Sequence, residues 1–216
     1  MSSYNNANKP FLAVWMRLKE MMMAKNKVVA LDIGNVCLHI TPERAFDYFG
    51  RHDFWQPEMP LAQAAGELEC GRLSEQDFLA RAQELIGGHF SLAEIQYGWN
   101  LIIGEEVDGM AAFVQSMREE GFRLVFFSDT SALHMREVQR KLSFFDLVHD
   151  GVYSYDVGAR KPHQRMYEDF ERRHGRPDYY FDDRIGNIEA ARQRGWPAFQ
   201  FDSIASAWAA VGGSCG

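Results

Sequence analysis

The stretch VVALDIGNVCL, from Val28 to Leu38, decides the fold of this chain. Its first four residues are apolar and rich in valine, a pattern that predicts a short buried strand. The run ends at Asp32, which a glycine and an asparagine soon follow. Open α/β sheets bind their ligands at the carboxyl ends of the strands. We therefore expect Asp32 to lie in a binding crevice, with partners supplied by later parts of the chain.

Composition limits the classes of protein that this chain can belong to. With 216 residues and 46% hydrophobic content, it can form one α/β domain with a smaller insert. Its net charge of -7 argues against a nucleic-acid partner, which requires basic surfaces. The cysteines Cys37, Cys70 and Cys215 are far apart and odd in number. We therefore predict neither a disulfide framework nor a zinc site, and a reducing, cytoplasmic location.

Residues 1–26 form an N-terminal extension that we predict to be partly helical. Several apolar residues fall on one helical face: Phe11, Val14, Trp15, Leu18 and Met22. We expect this helix to pack on the domain or on a second copy of the chain, which leaves a homodimer open. A membrane-surface anchor is the alternative, although the basic face is weak. No apolar run approaches the roughly 18 residues of a membrane span.

Residues 42–105 have a helical pattern without a strong strand. Thr41 and Pro42 predict a helix start, and the serines at 74 and 91 are each followed three residues later by an acid, as helix caps are. Glycines at positions 71, 87 and 88 predict helix ends. We therefore predict an all-helical cap over 42–105, inserted into a core made of residues 27–41 and 106–216.

Strands and helices alternate in the second half of the chain. We predict strands at 123–127, 146–149, 179–181 and 198–201, with helices between them and an irregular segment at 153–160. Strands separated by helices are typical of a parallel sheet with helices on both faces. The predicted fold class is therefore α/β, a Rossmann-like doubly wound parallel sheet with an inserted all-helical cap.

Polar residues end three of these strands: Asp32, Ser128 and the pair Asp182–Asp183. Two carboxylates about 4 Å apart repel by roughly 1 kcal/mol in water and about 4 kcal/mol near a protein surface. Acids gathered at one sheet edge therefore need a cation, and Mg²⁺ prefers oxygen ligands. Lys161, just before a predicted helix, adds a charge suited to a phosphoryl oxygen. This set predicts a carboxylate nucleophile that attacks phosphorus.

Four motifs in order resemble the haloacid dehalogenase-like (HAD) hydrolase superfamily. They begin at Asp32 (DIGNV), Ser128 (SDT), Arg160 (RKP) and Phe181 (FDDRIGNIEAA). Each motif is weak alone, but four in this order and spacing are specific. The first motif is similar to that of the branch with sugar phosphatases such as glucose-1-phosphatase. The resemblance implies a Mg²⁺-dependent phosphatase that hydrolyses a small phosphate monoester, such as a sugar phosphate, through an aspartyl-phosphate intermediate.

The resemblance also implies a role for each motif residue. Asp32 would be the nucleophile and a metal ligand, and Lys161 would hold both it and the phosphoryl group. The other metal ligands would be the Gly34 carbonyl and Asp183, with Asp182 beside them. The remaining residues would bind phosphate or support the site: Ser128 and Asp129 for phosphate, and Asn35 and Asn187 for support.

Two positions depart from the superfamily pattern. Most of its phosphatases have a second aspartate, the general acid and base, where this chain has Gly34. Positioned proton transfer is worth about 10²- to 10⁴-fold in rate. A good leaving group, such as an anomeric sugar oxygen, would make the acid less necessary. Alternatively, a water molecule, His39 or His134 could transfer the proton in its place. At the second position, Asp129 replaces a frequent asparagine and adds a negative charge beside the phosphate site.

Three other functions stay open from the sequence. A metal-independent dehalogenase on the same fold would also lack the second aspartate, although the Asp182–Asp183 pair argues against it. A catalytically weak relative would bind a phosphorylated ligand or a partner without turnover. A phosphotransferase would pass the phosphoryl group from Asp32 to a sugar instead of water.

Overall fold

The computed structural model describes residues 27–51, 56, 58–87 and 89–212. The predicted N-terminal extension, residues 1–26, lies outside these residues, as does Cys215. The strands are β1 (Val28–Leu31), β2 (Leu38–Ile40), β3 (Ile103–Glu106), β4 (Arg123–Ser128), β5 (Asp150–Tyr153), β6 (Tyr179–Asp182) and β7 (Ala198–Gln200). Five of them form one parallel sheet in the order β5-β4-β1-β6-β7, with β1 at its centre.

The central strand is buried on both faces, as its apolar sequence predicts. Val29 and Leu31 pack into one hydrophobic cluster, whereas Val28 and Ala30 pack into another on the opposite face. Helices cover both faces, so the predicted doubly wound α/β fold is confirmed. The helices around this sheet are α5 (Met110–Glu119), α6 (Ala132–Lys141), α7 (Ser154–Val157), α8 (Gln164–His174), α9 (Ile185–Gln193) and α10 (Ile204–Ala210).

Four further helices lie between β2 and β3 and share a hydrophobic cluster of their own. They are α1 (Pro42–Phe49), α2 (Pro60–Glu69), α3 (Glu75–Ile86) and α4 (Leu92–Asn100). Ser74 and Ser91 cap α3 and α4 by accepting backbone N–H groups, as predicted. Thr41 accepts no such bond at the start of α1. Leu133 of α6 packs into the same cluster, which ties these helices to the side of the sheet that carries α6.

The structure corrects the sequence prediction in two regions. The predicted helical segment 42–105 includes residues 103–105, but Ile103–Glu106 form β3, which pairs antiparallel with β2. Such short strands carry too little pattern to detect, and their pairing joins segments far apart in sequence. The strand predicted at 146–149 is instead a 3₁₀ turn (Phe145–Leu147), and β5 follows it at Asp150–Tyr153. Asp150 and Gly151 are poor strand formers, so pairing with β4 overrides local preference there.

One smaller difference lies beside the site. The segment 153–160, predicted to be irregular, contains the short helix α7. In the described part of the chain, no helix combines the length and apolar character needed to cross a membrane.

Candidate active site

The predicted site residues meet at one edge of the parallel sheet. Asp32 directly follows β1, Ser128 ends β4 and Asp182 ends β6, and these three strands are neighbours. A cavity of about 280 Å³ opens at this edge. It is lined by eight of the predicted residues: Asp32, Gly34, Asn35, Ser128, Asp129, Lys161, Asp183 and Asn187. The ninth, Asp182, lies beneath them and is fully buried.

Lys161 is held between two carboxylates. Its Nζ lies 3.1 Å from Asp32 Oδ1 and 2.6 Å from Asp182 Oδ2, and it donates a 2.7 Å hydrogen bond to the Phe127 carbonyl. The side chain is only 1% exposed. Burial opposes its charge, but Asp182 and Asp32 hold the pKa of Lys161 above its usual value. The site therefore contains a fixed positive charge at neutral pH.

Asp32 lies in an environment that disfavours its own ionisation. Burial raises the pKa of Asp32 above its usual range, whereas Lys161 lowers it and Asp182 raises it further. Its Oδ1 accepts the Ile33 N–H at 2.8 Å, and the Ser128 hydroxyl donates a hydrogen bond to the carboxylate. A cation beside Asp32 would favour the charged form, which is the nucleophilic one.

The adjacent acids Asp182 and Asp183 have different surroundings. The Asp182 carboxylate accepts hydrogen bonds of 2.5 to 3.0 Å from four residues: Lys161, the Tyr180 hydroxyl, the Asn187 amide and the Arg184 N–H. Burial opposes the charge of Asp182, but the attraction of Lys161 and the hydrogen bonds from Lys161, Tyr180 and the Arg184 N–H together lower the pKa of Asp182. Asp183 lines the cavity and accepts one side-chain hydrogen bond, from Asn35 Nδ2 at 3.1 Å. Of the two acids, Asp183 has oxygens available for a ligand.

The donor set fits a small divalent cation. Asp32, Asp182 and Asp183 each offer an oxygen, and these atoms lie within 4.8 Å of one another. A set made only of oxygen atoms suits Mg²⁺ better than zinc or copper. Because donors already surround Asp182, the atoms best placed for a metal belong to Asp32 and Asp183.

The loop after β1 leaves little space beside Gly34. Asn35 adopts a left-handed conformation with φ of 55°, and its side chain accepts the Ile40 N–H and donates to Asp183. This turn brings Ile40 against Gly34. A Cβ at position 34 would lie 3.0 Å from Ile40 Cγ1, so Ile40 would have to shift to admit a side chain there.

The second departure, Asp129, is accommodated by a turn of its side chain. Its Oδ1 accepts the backbone N–H of Lys161 at 2.8 Å. Burial raises the pKa of Asp129, and Lys161 opposes that shift. The carboxylate therefore secures the loop that carries Lys161. The hydroxyl of Ser154 supports the same region, because it accepts the Thr130 N–H and donates to the Thr130 carbonyl.

His134, one of the two histidines considered for proton transfer, lines the cavity, and His39 does not. The His134 ring stacks on Trp99 with an interplanar angle of 9°. Burial lowers the pKa of His134 to about 4, although a hydrogen bond to the Trp99 backbone opposes this shift. His134 is therefore neutral at pH 7 and lacks the extra proton that a general acid would donate.

His134 predicts a measurable dependence of stability on pH. Unfolded histidine gains a proton near pH 6.5, whereas folded His134 gains it only near pH 4. Stability is therefore lost as the pH falls between these values, by about 3 kcal/mol at pH 4. We expect His134→Gln to remove this part of the acid destabilisation in urea unfolding at several pH values. His39→Gln, at an exposed site, is the control, and equal slopes in wild type and His134→Gln would contradict the prediction.

Several site residues were missed in the sequence. Tyr180 lies two residues before Asp182 on the same face of β6, so strand alternation could have identified it. Ser154 carried no such signal, because its role depends on the approach of β5 to the loop after β4. Glu69 and Arg184 also line the cavity and were not singled out.

The site therefore combines acids and a serine at the strand ends of a parallel α/β sheet with a lysine from a nearby loop, an arrangement typical of α/β enzymes that act at the carboxyl edge of the sheet. The chain belongs to the haloacid dehalogenase-like hydrolase family, whose profile matches residues 26–195. The superfamily membership that the motifs predicted is confirmed.

Solved structures share this fold. A HAD family enzyme from Bacteroides thetaiotaomicron, in complex with magnesium and inorganic phosphate, is 18% identical, with a TM-score of 0.71 over 82% of this chain and 95% of that one. A predicted HAD-like family hydrolase from Porphyromonas gingivalis is 18% identical, with a TM-score of 0.69 over 87% and 97%. The L-2-haloacid dehalogenase from Xanthobacter autotrophicus, with chloropropionic acid covalently bound, is 14% identical, with a TM-score of 0.58 over 88% and 84%. At these identities the likeness concerns the fold.

Proposed function

We propose that this chain is a Mg²⁺-dependent phosphatase that hydrolyses a small phosphate monoester through an aspartyl-phosphate on Asp32. The observation that carries the proposal is the placement of Asp32 in a small cavity, 3.1 Å from the ammonium of Lys161 and beside the available carboxylate of Asp183. A carboxylate, a fixed cation and a second acid at one point suit the transfer of a phosphoryl group from an ester to Asp32. The relative crystallised with magnesium and phosphate supports the same reading.

The residues divide into two groups. Asp32, Asp183 and the Gly34 carbonyl would hold Mg²⁺, and Asp182 would keep Lys161 in position. When bound, Mg²⁺ would neutralise the acids and polarise a phosphoryl oxygen. Lys161 and the Ser128 hydroxyl would hold the phosphoryl group, with Asn35 and Asn187 orienting Asp183 and Asp182. Asp129 would position Lys161 through its backbone.

The reaction has two displacements at phosphorus. An Asp32 oxygen forms a bond to phosphorus while the ester P–O bond breaks, and the leaving alkoxide takes a proton from water. Water then forms a bond to phosphorus and gives a proton to the hydroxide left by the first step, while the acyl-phosphate bond breaks and inorganic phosphate and the Asp32 carboxylate are released. Because position 34 has no acid and His134 is neutral, leaving groups that need little protonation are favoured. A sugar phosphate with its ester at the anomeric oxygen meets this requirement.

The test is a panel of small phosphate esters assayed for inorganic phosphate release, with Mg²⁺ and with a chelator. We expect turnover with Mg²⁺, loss on chelation and recovery when Mg²⁺ is restored, with anomeric sugar phosphates hydrolysed faster than phosphates of the same sugars at other hydroxyl groups. Binding of Mg²⁺ and phosphate analogues without turnover would instead indicate a catalytically weak relative. Transfer of phosphate to an added sugar in preference to water would indicate a phosphotransferase.

The missing acid at position 34 favours one second candidate, a metal-independent dehalogenase in which Asp32 attacks carbon. Halide release from a 2-haloacid with a chelator present, and no phosphate release from any ester, would select this candidate. The surroundings of Asp183 argue against it, because a half-buried acid in the cavity repels a carboxylate substrate unless a cation is bound.

Removal of the Asp183 carboxylate is expected to weaken Mg²⁺ binding. Asp183→Asn should weaken binding about 100-fold or more, since even the outer partners of metal sites contribute about 10- to 100-fold. Calorimetric titration of the full chain with Mg²⁺ measures the effect. The control is Asp202→Asn, an exposed acid outside the cavity. Unchanged Mg²⁺ affinity in Asp183→Asn would exclude this residue as a ligand.

A further inference from the structure

A second cavity of about 530 Å³ adjoins the Asp32 cavity. The two cavities share three lining residues, Glu69, Arg160 and Arg184, so the side chains of the second cavity lie next to the Asp32 site. Helix α2 forms one wall of the second cavity with its small residues Ala62, Ala65 and Gly66. The proposed phosphatase reaction uses none of the side chains of this cavity.

Positive charge dominates this second cavity, although the protein as a whole is acidic. Its lining contains three arginines, Arg72, Arg160 and Arg184. These arginines come from separate parts of the chain. Arg72 lies just after α2, Arg160 directly precedes Lys161, and Arg184 directly follows Asp183. In the described residues, neither Arg72 nor Arg184 forms a side-chain ion pair.

The acids of the second cavity neutralise only part of this charge. Glu67 pairs with Arg81, which lies outside the cavity lining, at 3.1 Å. Glu69 pairs with Arg160, whose Nη1 lies 2.9 Å from its Oε2. A Cβ at Gly66 would lie 3.6 Å from the same Nη1, so the guanidinium of Arg160 lies close against helix α2. Two guanidinium groups thus remain without a carboxylate, beside a third that is held in place.

We propose that the substrate carries a second anionic group, a carboxylate or a second phosphate, that binds Arg72, Arg160 and Arg184 while its phosphoryl group lies at Asp32. Guanidinium groups bind carboxylate and phosphate through paired, charge-assisted hydrogen bonds, which suits either group. The inference rests on the proposed function and narrows its substrates to phosphorylated acids and bisphosphates. The arginines would favour these substrates over sugar phosphates that carry no second anionic group.

Three phosphonates, whose P–C bonds resist hydrolysis, test the inference by binding alone. They are 4-phosphonobutyrate, propane-1,3-diphosphonate and propylphosphonate, which share a three-carbon chain on the phosphonate and differ in the group at its far end: a carboxylate, a second phosphonate or hydrogen. We expect calorimetry of the full chain with Mg²⁺ to show at least about tenfold tighter binding for one or both of the first two. The ratio of these two affinities shows whether the second cavity prefers a carboxylate or a phosphate. Equal affinity for all three, or binding of none, would overturn the inference.

Arg72 offers the variant that isolates the second cavity, because it is exposed and remote from Asp32 in the chain. Arg72→Gln should reduce the preference for the second anionic group about tenfold and leave the affinity for propylphosphonate unchanged. The matched control is Arg140→Gln, an exposed arginine of helix α6 that, like its partner Glu137, lies outside the cavity lining. A preference unchanged in Arg72→Gln would also overturn the inference. Failure of the proposed function is distinguishable, because it would appear as absent ester hydrolysis with the binding preference intact.

Discussion

Asp32→Asn is expected to lower phosphate release by a factor of at least about 10⁴, the scale seen when a nucleophile is removed from a hydrolase. An amide has a similar size but does not attack phosphorus, because its nitrogen lone pair is delocalised into the carbonyl group and its oxygen carries no full negative charge. The substitution also removes one negative charge between Lys161 and Asp183. The amide oxygen can still accept the Ile33 N–H, so the turn after β1 is preserved.

The control for this variant lies at the opposite end of the same strand. Asp178 accepts the Val28 N–H through Oδ2 at 2.8 Å, at the amino end of β1 and away from the cavity. Asp178→Asn should reduce stability slightly and leave the rate of phosphate release unchanged. The measurement is steady-state phosphate release with Mg²⁺, on variants whose circular dichroism matches the wild type. Near-normal turnover by Asp32→Asn would remove this residue from the chemistry.

Lys161→Met is expected to destabilise the metal-free protein by about 3 to 5 kcal/mol, the usual loss when one partner of a buried ion pair is removed. Without the ammonium group, Asp32 and Asp182 lose their shared cation and the Phe127 carbonyl loses its donor. Addition of Mg²⁺ should recover part of this loss, because the cation would again neutralise Asp32. The variant should also lose most of its phosphate release.

Urea unfolding with and without Mg²⁺ measures both parts of this expectation. Lys141→Met is the matched control, since Lys141 Nζ donates to the Ile103 carbonyl at 2.7 Å and pairs with an exposed acid. Exposed ion pairs contribute at most about 1 kcal/mol, so this variant should lose far less stability. A loss in Lys161→Met no greater than in Lys141→Met would show that Lys161 does not hold the two acids together.

The sheet and the meeting of the site residues could be predicted because both depend on local patterns and one topological rule. Apolar runs predict the strands near Val28 and Arg123, and parallel strands place their carboxyl ends at one edge. Asp32, Ser128 and Asp182 therefore had to meet there. Lys161 lies in a loop, outside any strand, and only its motif indicated that it would join them.

Other features were beyond the sequence because they arise from contacts between distant segments. The pairing of β2 with β3 joins segments on either side of helices α1 to α4, and neither strand has a clear pattern alone. The different surroundings of Asp182 and Asp183 depend on Tyr180 and Asn187, which approach only one of them. The arginine-lined cavity likewise requires helix α2 to lie over the sheet edge.

The central claim is that the phosphoryl group passes through Asp32, and chemical trapping tests it most directly. The full chain is mixed with Mg²⁺ and an ester that it hydrolyses, and the reaction is quenched in acid during turnover. Borohydride then reduces an aspartyl-phosphate to homoserine. Peptide mass spectrometry should then find homoserine at position 32, and only when substrate was present. Continued phosphate release with Asp32 unmodified, or a phosphoryl group on another side chain, would contradict the claim.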